Sequence, residues 1–351
     1  MSFAQSTSSL PSFSTLKDGC GEIISGNRMQ SAQNDCGTRS TRLFLACTSR
    51  TDPLGGYEPL DNLRRMKYVV EYAAIRLVDL VLQTLPLSWA IGFGERVCVR
   101  LPRIIPKRQA LILDNLAKAL PELSAEDRAR IAEAVWRNLG RTAVEFVRIK
   151  DFARRPIEDL VTVEGREHME RVLRDGTGAI LLTAHFTNWE LTGSFVQRLF
   201  GSMTAIARPV HNPYVDRWVL RKRRLGGMQV IPAQDAVKAS LKCLKAKTFV
   251  GILIDQSLST GLSVEFFGRT AATTTLPAIL HIRTGAPVLI TYTLREGDRF
   301  KQVFQPVHFP PVPDEAERIL IYTRTINELF EQLIRRYPEN WFWVHNRWKR
   351  A

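Results

Sequence analysis

His185 and Glu190 are the residues whose types and spacing could move a proton. A carboxylate hydrogen-bonded to one imidazole nitrogen fixes the tautomer and supports the cation that forms when the other nitrogen takes a proton. The chemistry would be general-base activation of a hydroxyl. On one ideal helix a spacing of five residues sets the two side chains roughly 140° apart. They meet only if His185 lies outside the helix and the intervening turn folds it back. The pair alone reads more readily as a histidine satisfied beneath a loop and a solvated helix-start acid, so its neighbours carry the argument.

Those neighbours form a strand-to-helix corner. Ala179 to Leu182 is a short apolar run after Gly176-Thr177-Gly178, which predicts a buried strand. Asn188 to Leu199 predicts a helix, with Thr187 or Asn188 as its N-cap. His185 then stands at a strand's carboxyl end, where α/β proteins usually bind their ligands.

Further polar residues stand at comparable corners. Arg208 follows the strand pattern Met203 to Ala207; by itself it reads first as a loop arginine in water, and it could pair with phosphate or carboxylate. Asp255-Gln256 closes the apolar run Phe249 to Ile254, as a site or as a cap. Arg217, Arg221, Lys222, Arg223 and Arg224 predict a cationic patch on the helix Asn212 to Arg224. Phe266-Phe267-Gly268-Arg269 and Ala272 to Ala278 read as an apolar wall, a polar corner and a helix start. Trp341 to Lys349 interleaves aromatics with cations, which fits a membrane interface or a packed C-terminal strand.

The remaining pattern supplies the scaffold. Tyr68 to Phe93 is apolar and helical, broken near Pro86, with Arg64, Arg65 and Lys67 before it. Glu71, Arg76 and Asp79 interrupt it, each costly at mid-bilayer depth. It reads as a helix lying in a membrane interface, as a helix packed on the protein, or as both. Helices follow over Lys107 to Leu120 and Ser124 to Ile149, the second capped by Ser124 and Asp127. Beyond Pro156 come helices over Asp235 to Lys245, Leu276 to Arg283 and Glu315 to Arg336, and strands over Val288 to Leu294 and Gln302 to Val307. The alternation predicts an α/β fold with a mostly parallel central sheet flanked by helices.

Composition narrows the partners. The net charge of +14 attracts polyanions, whether nucleic acid, anionic lipid or an acidic protein. No nucleic-acid module is visible. Five scattered cysteines, without C-x-x-C spacing or a histidine at metal-site distance, predict free thiols, no disulfide and no zinc. Residues 1 to 65 are polar and read as disordered or as an over-extended frame, with Met66 as the start; a transit-peptide character is conceivable. The expected organisation is therefore 1–65 as extension, 66–100 as a membrane-associated helix and 101–351 as the catalytic domain.

With these residues in place the chain resembles the late acyltransferases of lipid A biosynthesis over about Met66 to Lys349. The resemblance rests on His185-x-x-x-x-Glu190, Arg208-Pro209 with Asn212-Pro213, Asp255-Gln256, Phe266-Phe267-Gly268, Pro277-Ala278, Thr284-Gly285-Ala286 and the terminal Trp341 to Lys349 run. It implies a fold similar to that of the glycerol-phosphate acyltransferases. It also implies a place at the cytoplasmic face of the inner membrane, on an anionic surface. The implied reaction moves an acyl chain from acyl carrier protein to a hydroxyl of a lipid A precursor without a cofactor, or to another glycolipid or phospholipid. On this reading His185 is the base, Glu190 orients it, and Arg208, Asn188, Asp255 and Gln256 hold substrate.

Overall fold

The computed structural model describes residues 62–349, so expectations about the segment before residue 62 lie outside them. Helices α1 (Asn62–Thr84) and α2 (Leu87–Arg100) meet at Pro86, which precedes the first turn of α2. Helices α3 (Pro106–Ala119) and α4 (Ala125–Val147) follow, with the Ser124 hydroxyl accepting from Asp127 N as the N-cap of α4. Two short helices, α5 (Ile149–Arg154) and α6 (Ile157–Leu160), lead into the sheet.

The alternating part runs β1 (Val161–Glu164), α7 (Arg166–Asp175), β2 (Ala179–Thr183), α8 (Trp189–Phe200) and β3 (Met203–Ala207). It continues through α9 (Pro213–Leu225), β4 (Gln229–Pro232), α10 (Ala236–Lys245) and β5 (Phe249–Leu253). A hairpin of β6 (Leu262–Phe266) and β7 (Arg269–Thr273) precedes α11 (Leu276–Thr284), β8 (Val288–Glu296), β9 (Arg299–Pro306) and α12 (Glu315–Arg336).

Among the described residues the main sheet has seven strands in the order β1-β9-β8-β2-β5-β3-β4. Strands β8, β2, β5, β3 and β4 are mutually parallel, whereas β9 runs antiparallel to β8 and carries β1 parallel to itself. The predicted mostly parallel α/β architecture is what forms. All five residues of β2 are buried because helices cover both faces, which is why it reads as an unbroken apolar run. Alternate residues serve different layers: Ile180 and Leu182 join a core with Trp136, Phe330 and Trp341, while Ala179 and Leu181 join one with Met169, Met203 and Phe304.

Several predicted segments take a different form. Phe266 to Arg269 is the turn of the β6–β7 hairpin, with Phe267 and Gly268 both at positive φ (54° and 66°), as a two-residue turn of the primed type requires. The terminal aromatic run is neither a regular strand nor an exposed belt. Trp341, Trp343 and Arg347 are each no more than 1% exposed, and Arg347 donates to Ala272 O and to Thr273 Oγ1. One antiparallel bridge, Phe186 to Trp341, ties this run to the corner after β2.

The expected inner-membrane location is corrected at α1. Among the described residues no helix is long and apolar enough to cross a membrane. Large apolar side chains such as Val70, Leu77 and Leu80 do stand exposed on α1. The charges that interrupt them, however, are points of attachment. Asp79 is buried and accepts from Lys222 Nζ at 2.8 Å, Trp218 Nε1 at 3.0 Å and Gln83 Nε2 at 2.9 Å. Glu71 accepts from Asn212 Nδ2 at 3.0 Å. Carboxylates that a bilayer would penalise are thus satisfied by α9 and by the loop before it.

Removing one member of a buried ion pair leaves the other charge unsatisfied. Lys222→Met should therefore destabilise the protein by about 3–5 kcal/mol, and Asp79→Leu combined with Lys222→Met by much less. Denaturant unfolding of both variants measures the difference.

Candidate active site

The parallel register of β2 and β5 builds the site. Ala179 pairs with Phe249 and Thr183 with Leu253, and Ile254 N extends the ladder to Thr183 O at 3.2 Å. Continued by two residues, the same offset sets His185 beside Asp255. Asp255 Oδ1 lies 2.9 Å from His185 Nδ1, and its Oδ2 accepts from His185 N at 2.8 Å and from Trp341 Nε1 at 2.8 Å. An ionised carboxylate only accepts, so Nδ1 carries a proton, and the neutral tautomer this selects has its lone pair on Nε2. Gln256 Nε2 stands 3.2 Å from that Nε2.

Burial by itself would raise the pKa of Asp255. The His185 ring, its backbone N–H and Trp341 outweigh it and hold the carboxyl below the usual carboxylate range. The imidazole packs against Trp189 and Phe342, with ring centroids 4.8 and 5.5 Å away.

The structure departs from the predicted pairing here. The carboxylate on the imidazole is Asp255, and Glu190 faces Arg223 instead. Arg223 Nε donates to Glu190 Oε2 at 2.9 Å and its Nη2 to Oε1 at 2.7 Å, a two-pronged ion pair between the first turn of α8 and the last turn of α9. Asn188 departs too. It is fully buried, its Oδ1 caps α8 by accepting from Leu191 N, and its Nδ2 donates to Glu145 Oε2 at 2.7 Å. That carboxamide is fully buried, with both of these bonds directed into the protein.

The corner itself is held under strain. Thr187, with φ of 49°, is a threonine in the left-handed region. Its N–H donates to Asn340 O and its carbonyl accepts from Thr142 Oγ1, both at 2.7 Å. Behind it the buried Glu145 accepts from Arg141 and Arg295 as well as Asn188.

A cavity of about 550 Å³ opens at this corner. His185, Glu190, Arg223 and Gln256 line it, and exposed Arg208 stands at its rim. It continues between the sheet and α8 along Leu181, Met203, Gly251 and Leu253, with Met228 entering from the turn before β4. The expected site residues His185, Glu190, Arg208 and Gln256 thus share one space, with Asp255 directly behind it. Among the described residues no group of three histidine, cysteine, aspartate or glutamate side chains is arranged to hold a metal. Cys98 and Cys243 are free thiols.

Residues 60–350 match the bacterial lipid A biosynthesis acyltransferase family. The chain belongs to that family. It is therefore an acyltransferase. It is 24% identical over 269 residues to the lipid A biosynthesis palmitoleoyltransferase of Escherichia coli (strain K12), covering 76% of this chain and 86% of that protein. It is 24% identical over 292 residues to the lauroyltransferase of lipid A biosynthesis from the same strain, covering 81% and 92%. It is also 25% identical over 191 residues to the phosphatidylinositol mannoside acyltransferase of Mycobacterium tuberculosis (strain ATCC 25618 / H37Rv), covering 53% and 59%.

In this acyltransferase, sequence reasoning missed Arg223, Trp341 and His345 as parts of the site. The terminal aromatic run held the signal for two of them, because a histidine among buried tryptophans needs a polar partner. His345 Nε2 accepts from Ser257 N at 3.1 Å, which requires a neutral ring. Burial pushes its pKa down from 6.5 to about 4, against the opposing pull of Asp255. An unfolded chain protonates this histidine near its ordinary pKa, so the stability it contributes is complete above about pH 6.5. That stability is lost as pH falls toward about 4. Denaturant midpoints measured across this window should fall more steeply with acidification for the wild type than for His345→Gln, in which the amide oxygen can still accept from Ser257.

Proposed function

We propose that this acyltransferase takes a fatty acyl chain from acyl-acyl carrier protein and esterifies a hydroxyl of a lipid A precursor, with residues 101–351 as the catalytic domain. The observation that carries the reading is His185, backed by Asp255 and opening onto a largely apolar cavity large enough for a lipid chain. The family and the names of the bacterial relatives supply the lipid A acceptor.

His185 Nε2 takes the proton of the acceptor hydroxyl as its oxygen attacks the thioester carbonyl carbon. The tetrahedral intermediate collapses, the C–S bond breaks, and the imidazolium returns its proton to the departing thiolate. Asp255 holds the tautomer and stabilises the imidazolium. Gln256 leaves Nε2 as the hydroxyl arrives and turns its N–H toward the carbonyl oxygen as negative charge develops there. Arg208 contacts a phosphate of the acceptor or the developing oxyanion. Glu190 holds Arg223 in place as a second cation over the cavity.

Charge supports the donor assignment. Arg217, Arg221 and Arg224 stand exposed on α9, on the same helix as Arg223, and acyl carrier protein is acidic. A second reading changes only the acceptor, to another glycolipid or phospholipid. The match to a phosphatidylinositol mannoside acyltransferase favours keeping it in the test.

The experiment is a transfer assay with purified protein, labelled acyl-acyl carrier protein and either a lipid A precursor or a phosphatidylinositol mannoside. Transfer to the lipid A precursor is expected, and its absence with transfer to the mannoside would replace the acceptor. General-base action is typically worth about 10²–10⁴-fold, so His185→Ala and Asp255→Asn should each lower kcat by that order. Equal activity of Asp255→Asn and wild type would remove Asp255 from the mechanism. The KM for acyl-acyl carrier protein should rise with salt through the range where the Debye length shrinks below ~10 Å. Titrating ionic strength checks it.

A further inference from the structure

The inner part of the cavity has an unusual construction. Gly251 lies on β5 four residues before Asp255, so at roughly 3.3 Å per residue it sits about 13 Å below the catalytic corner. Gly193 lies opposite on α8. A Cβ built on Gly251 would meet Met203 Cε at 2.2 Å, and one built on Gly193 would meet Met228 Sδ at 2.4 Å. The same Gly193 position lies 3.7 Å from Met203 Cε, so both methionine side chains converge there. Met203 and Met228 are each 5% exposed, and both line the cavity.

Two glycines therefore make room for the ends of two methionines. A thioether end with three rotatable bonds can fill an irregular void and re-form when the void changes. Arg208 and Gln256 follow the carboxyl ends of β3 and β5, whereas Met203 begins β3, Gly251 lies within β5 and Met228 precedes β4, at the other end of the strands.

We propose that Met203 and Met228, seated against Gly251 and Gly193, close the inner end of the acyl cavity and set the longest chain that the enzyme accepts. This rests on the reading that the cavity takes the acyl chain. The terminal methyl of the chain would abut the methionine ends, and a longer chain would have to displace them from their glycine seats. Met203→Ala opens the end. Gly251→Ala drives Met203 Cε into the cavity and shortens it, a displacement that the flexible end permits without moving the backbone.

The test uses the full chain and two readouts over saturated chains from decanoate to stearate. One is calorimetric binding of the free fatty acids, and the other is kcat/KM with the matching acyl-acyl carrier protein thioesters. Met203→Ala should move the optimum to longer chains, each newly accepted methylene changing the ratio to wild type by roughly tenfold. Gly251→Ala should move the optimum to shorter chains, with a penalty of about tenfold or more for the longest chain that wild type accepts. Opposite shifts in the two variants support the gauge. Unchanged profiles, or a loss uniform across chain length, overturn it while the acyl-transfer reading stands. If Met203→Ala does not fold, an unshifted Gly251→Ala overturns it alone. A wild type that binds no fatty acid and turns over no thioester overturns the acyl cavity and the gauge together.

Discussion

Strands β2 and β5 lie side by side with Ala179 on Phe249, and that parallel register is what joins an imidazole to a carboxylate seventy residues away. A slip of one residue would turn Asp255 to the opposite face and strand a charge in the core. The register is specified because both faces of both strands are buried, so each side chain has a single acceptable environment. Asp255 then has no alternative to ionisation. With 3% of its surface exposed, it is held by two N–H groups of His185 and by the Trp341 indole. The terminal segment supplies that indole, which explains why the aromatic run is folded inward.

The corner after β2 was legible because strand end, N-cap and helix are local signals. The spans of β3 and α12 were equally plain, since apolar periodicity marks a half-buried strand and a long amphipathic helix. Strands β1 and β4, four residues each, escaped because so short a run carries no period, and the β6–β7 turn escaped because Phe267 occupies a position where glycine or asparagine is usual. The site was half legible. An imidazole in need of a carboxylate could be read, but the search for its partner ran along the chain, where Glu190 is nearest. Pairing across a sheet has no sequence distance. Glu190 meets instead a guanidinium from α9, whose two parallel N–H groups match both carboxylate oxygens. Asn188 was legible as a cap of α8, but its bond to Glu145 and its burial are visible only once α4 lies beneath it.

Helix α9 shows why a run of cations cannot be read as one patch. Successive residues point about 100° apart. Lys222 therefore enters the protein to meet Asp79, Arg223 turns to Glu190 above the cavity, and Arg221 and Arg224 face outward. Three consecutive positions tie α1 to the body, complete the cavity wall and charge the surface. The attachment of α1 and the position of Arg223 thus depend on the same helix turn.

Around the His185 imidazole the fixed and the replaceable groups divide cleanly. Nδ1 faces a buried carboxylate, the backbone on either side is pinned by Asn340, Thr142 and the Glu145 cluster, and Thr187 stays in the left-handed region only because those contacts over-determine it. Nε2 faces the exposed Gln256 side chain. A neutral hydrogen bond open to water is worth only about 0.5–1.5 kcal/mol net, so an incoming hydroxyl that makes an equivalent bond displaces the amide at little cost. Moving the imidazole would mean uncovering the Asp255 charge. The ring is therefore held and the amide is replaceable, which is the order of mobility that the proposed general-base role requires: the lone pair would keep its direction while the group standing where a hydroxyl would bind gives way.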